Sequence, residues 1–191
     1  MDRMARRLEP EEMKVAFAFL LSMPGAPFIY YGDEIGMRYV EGLTSVEGGY
    51  ERTGSRSPMQ WNRMTNAGFS TAAAEKLYIK QDESKDRPDA ESQMKDTSSL
   101  RSNVKHLIAL RMAHPALQSK AAVTFLKDDY PMVYQRSCEE ETILVIINPA
   151  GKPAFVPDTA GEILTTVGGN AVPEKGGVSV DGGTAVYVKL A

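Results

Sequence analysis

The chain has 191 residues, of which 42% are hydrophobic and 25% charged, and its formal net charge is −3. This length suits one domain of ordinary size, or one and a half, and the apolar fraction argues against wholesale disorder. The near balance of 22 basic and 25 acidic residues favours neither nucleic acid nor an anionic membrane as a partner.

The composition also limits metal and cofactor chemistry. The lone cysteine, Cys138, excludes an intramolecular disulfide, and one cysteine with two histidines is too few for a cluster of soft metal ligands. No phosphate-binding loop or dinucleotide fingerprint occurs, so we expect neither a metal nor a cofactor. No run of roughly 18 apolar residues is present, so we expect no membrane span.

The N-terminal region predicts a helix followed by a strand. Pro10 among Glu9, Glu11 and Glu12 suits a helix start, and apolar residues at helical spacing extend the helix to Met23. The apolar run Ala26–Tyr31 is bounded by glycines and predicts a buried strand. A helix leading into a fully apolar strand is typical of a parallel α/β layer.

The region from Gly32 to Asp96 has little periodicity. A connection of this length without regular structure is unusual in a compact domain and tends to be functional. A disordered linker is the alternative, but four aromatic side chains need a place to pack: Tyr50, Trp61, Phe69 and Tyr78.

The last region begins with a helix and then changes to β-structure. Apolar residues follow a helical face over Ser99–Ala113, and His114-Pro115 ends the helix. Glycine-rich turns then separate short strands, which predicts an antiparallel sandwich or small barrel. The predicted strands are Val123–Lys127, Met132–Cys138, Thr142–Asn148, Gly161–Val167, Gly176–Val180 and Thr184–Leu190.

Two groups of residues are candidates for a functional site. Asp33 and Glu34 directly follow the predicted strand, but neighbours on an extended chain point to opposite sides, so we expect them to shape the loop by hydrogen bonding. In Arg56-Ser57-Pro58-Met59-Gln60-Trp61, Arg56 and Gln60 can bond sugar hydroxyls while Trp61 stacks on an apolar sugar face. The alternative is that Trp61 forms the core of its own loop.

Three segments together resemble one family. Met23–Met37, M-P-G-A-P-F-I-Y-Y-G-D-E-I-G-M, resembles the last barrel strand of the α-amylase family of glycoside hydrolases. Arg56–Trp61 resembles the R-T-P-M-Q-W segment of its α-glucosidase, oligo-1,6-glucosidase and trehalose-synthase branch, with Ser57 in place of threonine. Asn66–Ser70 continues this match, and Ser99–Leu117 is similar to the closing barrel helix.

The resemblance implies an α+β chain in two parts. Residues 1–118 would be the last helix, strand, loop and helix of a (β/α)₈ barrel, and residues 119–191 an antiparallel β-sandwich. The ligand implied is an α-linked glucose oligosaccharide. The family's catalytic carboxylates lie upstream of the matched segment, and the chain contains no Asn-His-Asp motif. We therefore expect a C-terminal segment of a retaining α-glucoside hydrolase or transglycosidase that is inactive by itself.

Two further possibilities stay open. The chain is alternatively a non-catalytic module whose β-structure binds carbohydrate or supports another domain. The helix to Met23 and the strand Ala26–Tyr31 would lack their barrel neighbours, which predicts self-association through exposed edges. We expect a cytoplasmic location, although any signal peptide would have preceded the segment given.

Overall fold

The computed structural model describes residues 2–190, so the terminal residues of the two predicted domain ranges lie outside it. The chain packs as two compact units. The loop unit combines the segment up to Met13 with Ile29–Ser102, and the sheet unit combines Lys14–Phe28 with the chain from Asn103 onward. The domain boundary at residue 118 stays a prediction. Within residues 2–190, no helix has the length and apolar character needed to cross a bilayer.

The two long helices confirm the periodicity of the sequence. Helix α1 spans Pro10–Ser22, with Glu11 and Glu12 in the first turn, where acidic groups favour the positive end of the helix dipole. The Ser22 hydroxyl donates to the carbonyl oxygens of Ala18 and Phe19 in the last turn. The second long helix, which we call α3 because a short helix precedes it, spans Leu100–Ala113.

The strand predicted over Ala26–Tyr31 is wrong. The segment has no regular structure, and the side chain of Phe28 is 90% exposed. A strand is defined by hydrogen bonds to a neighbouring strand, and none of the strands within residues 2–190 pairs with this segment. Every ladder between named strands within residues 2–190 is antiparallel. The parallel α/β layer that the sequence pattern predicts is therefore absent from the described residues.

The loop unit consists of extended chain and short helical turns around a small apolar core. Its core cluster contains Ile35, Met37, Met59 and Ala90. The sequence pattern missed helix α2, which spans Ala90–Lys95. Asp89 is its N-cap residue, and the Asp89 side chain accepts a hydrogen bond from the backbone N–H of Ser92. The 3₁₀ turns are Met4–Arg6, Asp33–Ile35, Thr53–Ser55, Thr65–Gly68 and Ala74–Lys76.

As far as Leu190, the sheet unit contains eight strands in two antiparallel sheets. The strands are β1 Ala122–Lys127, β2 Met132–Ser137, β3 Thr142–Asn148, β4 Ala154–Pro157, β5 Gly161–Gly168, β6 Ala171–Glu174, β7 Gly177–Val180 and β8 Thr184–Leu190. The larger sheet has the order β1-β2-β3-β8-β5 and the smaller one β4-β7-β6. The six predicted strands are confirmed. The sequence missed β4 and β6, because each has four residues and contains a proline, which is uncommon within strands.

One apolar core lies between the two sheets. The larger sheet contributes Val133, Leu144, Ile146, Val186 and Val188, and the smaller sheet contributes Val156, Val178 and Val180. Because residues from both sheets belong to one buried cluster, each sheet covers the apolar face of the other.

Two buried arginines join the end of α1 to the rest of the sheet unit. Arg111 Nη1 donates to the carbonyl oxygens of Leu21 and Met23, both at 2.7 Å, while its Nη2 donates to Gly25 at the same distance. Arg136 is fully buried and donates to the carbonyl oxygen of Ser22. The last turn of a helix leaves carbonyl oxygens without partners, and guanidinium groups satisfy them here.

Candidate functional site

An aromatic cleft of about 370 Å³ opens on the loop unit. This volume lies at the lower end of the range of small-ligand sites, about 300–1,000 Å³. Most of the lining is aromatic or apolar, with one acidic and one basic residue. The lining residues are Tyr31, Glu34, Arg56, Pro58, Met59, Trp61, Phe69, Tyr78 and Ile79.

The structure places two of the three predicted sugar-binding residues in this cleft. Arg56 and Trp61 both line it, and the Trp61 side chain is 51% exposed. Gln60 is not a lining residue, because its side chain is fully buried. Neither the amide nitrogen nor the amide oxygen of Gln60 has a hydrogen-bond partner within the described part of the chain.

The backbone on either side of the Trp61 ring is firmly held. The N–H of Trp61 donates to the carbonyl oxygen of Ala67 at 2.9 Å, and its own carbonyl oxygen accepts from the N–H of Glu91 at 2.9 Å. The carbonyl oxygen of Gln60 accepts from the N–H of Ala90 at 3.0 Å. N–H groups in the first turn of α2, which have no partner within the helix, therefore bond the carbonyl oxygens of Gln60 and Trp61. The exposed indole is attached to a backbone that these bonds hold in place.

Asp33 and Glu34 have different surroundings. They do not lie on extended chain, as the sequence suggested, but in the 3₁₀ turn Asp33–Ile35, between Gly32 and Gly36 at φ +85° and +72°. A Cβ atom at Gly32 would lie 2.2 Å from the Met37 sulfur, so only glycine fits there.

Asp33 is part of a buried ion pair. Its Oδ1 lies 3.0 Å from Nη1 of Arg3, whose guanidinium is fully buried and stands 4.5 Å and 4.8 Å from the ring centroids of Tyr30 and Tyr31. Burial raises the pKa of Asp33, and the pairing with Arg3 offsets part of that rise. The loop-shaping role of Asp33 stays a prediction, and its one ion pair in the described chain is with Arg3.

Glu34 faces the cleft instead. It lines the same cavity as Arg56 and Trp61, and its Oε2 atom is buried without a hydrogen-bond partner among residues 2–190. A buried oxygen without a partner carries a cost in folding free energy. Glu34 therefore lines the candidate site, whereas the sequence predicts only a loop-shaping role for it.

The aromatic residues of the loop are half exposed, so each is only partly packed, and Trp61 does not form a buried core of its loop. Tyr50, Trp61, Phe69 and Tyr78 are each 50–55% exposed. Sequence reasoning did not assign Phe69, Tyr78 or Tyr31 to a ligand site, because without periodicity it cannot tell which loop residues meet at one cleft.

The cleft favours a neutral, hydroxylated ligand. Burial raises the pKa of Tyr31 to about 12, so its phenol stays protonated and donates to the carbonyl oxygen of Ser57 at 3.0 Å. Aromatic faces pack against apolar ligand surfaces, while Arg56 and Glu34 offer a hydrogen-bond donor and an acceptor. Within residues 2–190, no group of three or more histidine, cysteine or acidic side chains could hold a metal ion.

Comparison with known proteins agrees with these features. The family model described as the alpha amylase catalytic domain matches residues 1–120. The chain belongs to the α-amylase family. Its members include trehalose synthases and oligo-1,6-glucosidases similar to this chain, which confirms the resemblance seen in the sequence.

Two relatives in the family illustrate this similarity. The trehalose synthase/amylase TreS of Mycobacterium tuberculosis is 38% identical over 121 residues, which are 58% of this chain and 19% of TreS. The probable oligo-1,6-glucosidase 3 of Bacillus subtilis is 31% identical over 173 residues, 76% of this chain and 31% of that protein. The chain thus spans about a fifth to a third of the length of these relatives.

A solved structure of the family has a similar fold. The trehalulose synthase MutB from Pseudomonas mesoacidophila MX-45 matches with a TM-score of 0.77 at 25% identity, over 94% of this chain and 38% of MutB. A MutB variant with the same TM-score was crystallised in complex with glucose.

Proposed function

We propose that this chain supplies one wall of an α-glucoside-binding site in a glycoside hydrolase or transglycosidase of the α-amylase family. The observation that carries the proposal is the aromatic cleft, where the exposed indole of Trp61 stands beside Arg56 and Glu34. The family membership and the glucose-bound relative support a sugar as the ligand.

The proposed ligand is an α-linked glucose oligosaccharide. A pyranose ring has apolar C–H faces that pack on an indole and hydroxyl groups at its edge that bond a guanidinium and a carboxylate. In the cleft, Trp61 supplies the flat apolar surface, Arg56 donates hydrogen bonds and the Glu34 carboxylate accepts one. The opposite charges of Arg56 and Glu34 give the lining no net preference for a charged ligand.

We propose that this chain is inactive by itself. Retaining hydrolysis needs two carboxylates about 5 Å apart, one on each side of the scissile bond. Glu34 is the one acidic residue that lines the cleft, and Asp33 is paired with the buried Arg3 instead. We therefore infer that the reacting carboxylates belong to a preceding part of the protein. Residues 1–118 would then complete a (β/α)₈ barrel, and residues 119–191 would form the β-sandwich that follows it.

Calorimetric titration of the chain with isomaltose and maltose tests this proposal. An indole buries about 150–250 Å² when fully covered, and half of the Trp61 side chain is exposed. At about 25 cal/mol per Å², contact with one sugar face contributes about 1–2 kcal/mol, so Trp61→Ala should weaken binding about five- to thirtyfold. Trp61→Phe keeps an aromatic face and is the matched control, with a smaller expected loss.

The alternative outcomes are distinct. Unchanged affinity in Trp61→Ala would indicate that the sugar binds to the sheet unit. That result would favour the alternative of a non-catalytic carbohydrate-binding module. Absence of any binding by the unmodified chain would favour a structural role. Appreciable hydrolysis of α-glucosides by the chain would contradict the proposed inactivity.

Self-association and location stay predictions. The proposal that α1 and the segment Ala26–Tyr31 lack barrel neighbours predicts oligomers, and the 90% exposure of Phe28 supports it. A monomeric mass by light scattering would contradict it. The cytoplasmic location is expected for the whole protein and can be checked by fractionating cells that produce it.

A further inference from the structure

Two consecutive residues of the loop unit adopt a backbone conformation that side chains disfavour. Asn66 has φ +51° and ψ +29°, and Ala67 has φ +54° and ψ +31°. In this left-handed region the Cβ atom approaches the following carbonyl oxygen, so glycine is the usual occupant and asparagine is tolerated. An alanine there is unusual, and such strain persists only where surrounding contacts enforce it.

The carbonyl oxygens of this turn hold two walls of the aromatic cleft. The oxygen of Ala67 accepts from the N–H of Trp61 at 2.9 Å and from that of Asn62 at 3.1 Å. The oxygen of Asn66 accepts from the N–H of Phe69 at 3.0 Å. One strained turn therefore fixes the backbone of both Trp61 and Phe69.

Further contacts keep the turn in this conformation. Nδ2 of Asn66 donates to the carbonyl oxygens of Ser70, at 3.0 Å, and Ala72, at 2.7 Å. The Ala67 side chain is fully buried, and its N–H donates to the carbonyl oxygen of Met64 at 2.9 Å. The two side-chain bonds depend on the amide of Asn66, and the backbone bond from Ala67 to Met64 holds the second left-handed residue in place.

The exposure of the two rings makes this support necessary. Trp61 and Phe69 are 51% and 50% exposed, so the side-chain packing that fixes ring direction in a core is incomplete here. Their positions depend instead on the backbone that carries them. A cleft whose walls are fixed before binding spares the ligand the entropic cost of ordering them.

We propose that Asn66 and Ala67 are positioning residues that hold Trp61 and Phe69 as preformed walls for the α-glucoside. This inference rests on the proposed function for its ligand, but the fixed position of the indole can be measured without any sugar. Neither residue lines the aromatic cleft, so both act through the backbone bonds described above.

The substitution Ala67→Val tests the proposal, because a β-branched side chain in the left-handed region should disrupt the turn. Trp61 is the only tryptophan of the chain, so steady-state fluorescence anisotropy and acrylamide quenching report on it alone. We expect lower anisotropy, faster quenching and about tenfold weaker isomaltose binding in Ala67→Val.

Two matched variants separate positioning from a general loss of structure. Ala67→Gly keeps the left-handed conformation accessible and should stay within about twofold of the original affinity. Ala73→Val makes the same change at an exposed alanine with ordinary extended backbone, φ −60°, and should change neither fluorescence nor binding. If circular dichroism shows that Ala67→Val does not fold, Asn66→Ala replaces it. Asn66→Ala loses the two side-chain hydrogen bonds, and we expect the same lower anisotropy, faster quenching and weaker isomaltose binding.

The outcomes distinguish this inference from the proposed function. A folded Ala67→Val or Asn66→Ala protein with unchanged anisotropy and quenching would overturn the positioning role. Changed fluorescence with unchanged isomaltose affinity would overturn its importance for binding. If the unmodified chain binds no sugar, the proposed function fails, while the fluorescence comparison still decides whether the turn positions Trp61.

Discussion

Replacing Arg136 with methionine tests how the sheet unit holds the end of α1. The guanidinium is fully buried, and no described acidic residue forms an ion pair with it. It donates to four carbonyl oxygens: Ser22, Gln118 at 2.7 Å, Ala122 at 3.1 Å and Ala121 at 3.2 Å. Burial, reinforced by the nearby Arg111, lowers the pKa of Arg136.

Two opposing effects set the size of the change. Each acceptor that loses its donor and stays buried costs about 1–3 kcal/mol. Methionine removes a buried cation, whose desolvation costs several kcal/mol and offsets part of this loss. We therefore expect Arg136→Met to lower the free energy of unfolding by about 2–4 kcal/mol. Arg136→Lys keeps the charge without the planar guanidinium, so its free energy of unfolding should lie between those of Arg136→Met and the original protein.

Urea unfolding followed by far-ultraviolet circular dichroism measures this difference. Arg7→Met is the matched control, because Arg7 is exposed and the same change should shift stability by less than about 0.5 kcal/mol. An Arg136→Met protein as stable as the original would refute the reasoning. It would mean that the cost of burying the charge equals everything its four hydrogen bonds contribute.

Three further changes test other parts of the structure. Burial opposes ionisation of Glu141, but hydrogen bonds from His114 and a backbone N–H hold its pKa below the usual value of 4.5. The stability that the ionised carboxylate contributes should therefore be complete above pH 4.5 and lost as the pH falls below that value. The melting temperatures of Glu141→Gln and of the original protein should converge in acid. Asp89→Ala removes the cap of α2 and should cost about 1–2 kcal/mol in urea, with unchanged stability as the contrary result. Gly54→Ala would place a Cβ atom 2.4 Å from the carbonyl oxygen of Val40 and should lower the free energy of unfolding by about 2–3 kcal/mol. Urea unfolding followed by tryptophan fluorescence measures this change, and an unchanged stability would contradict the contact.

The elements that the sequence predicted well depend on local patterns. The apolar spacing and flanking prolines determine α1 and α3, and alternating apolar residues between glycine turns mark strands such as β3 and β8. The segment Ala26–Tyr31 fails for the opposite reason, because its hydrophobic run predicts burial but a strand needs a hydrogen-bonded neighbour.

The candidate site divides in a similar way. Residue chemistry selected Arg56, Gln60 and Trp61, because a guanidinium and an amide can bond sugar hydroxyls while an indole stacks on a sugar face. The meeting of these residues with Tyr31, Phe69 and Tyr78 depends on backbone bonds across an aperiodic loop, which no local pattern encodes. Gln60 shares the same motif but is buried, because residue type alone does not determine which side chain of an irregular segment faces outward.

A crystal structure of the chain soaked with isomaltose tests the central claim most directly. We predict a glucose ring against the Trp61 indole, with hydroxyl groups within hydrogen-bond distance of the Arg56 guanidinium and of the Glu34 carboxylate. A sugar bound on the sheet unit, or an empty aromatic cleft at a saturating concentration, would contradict it.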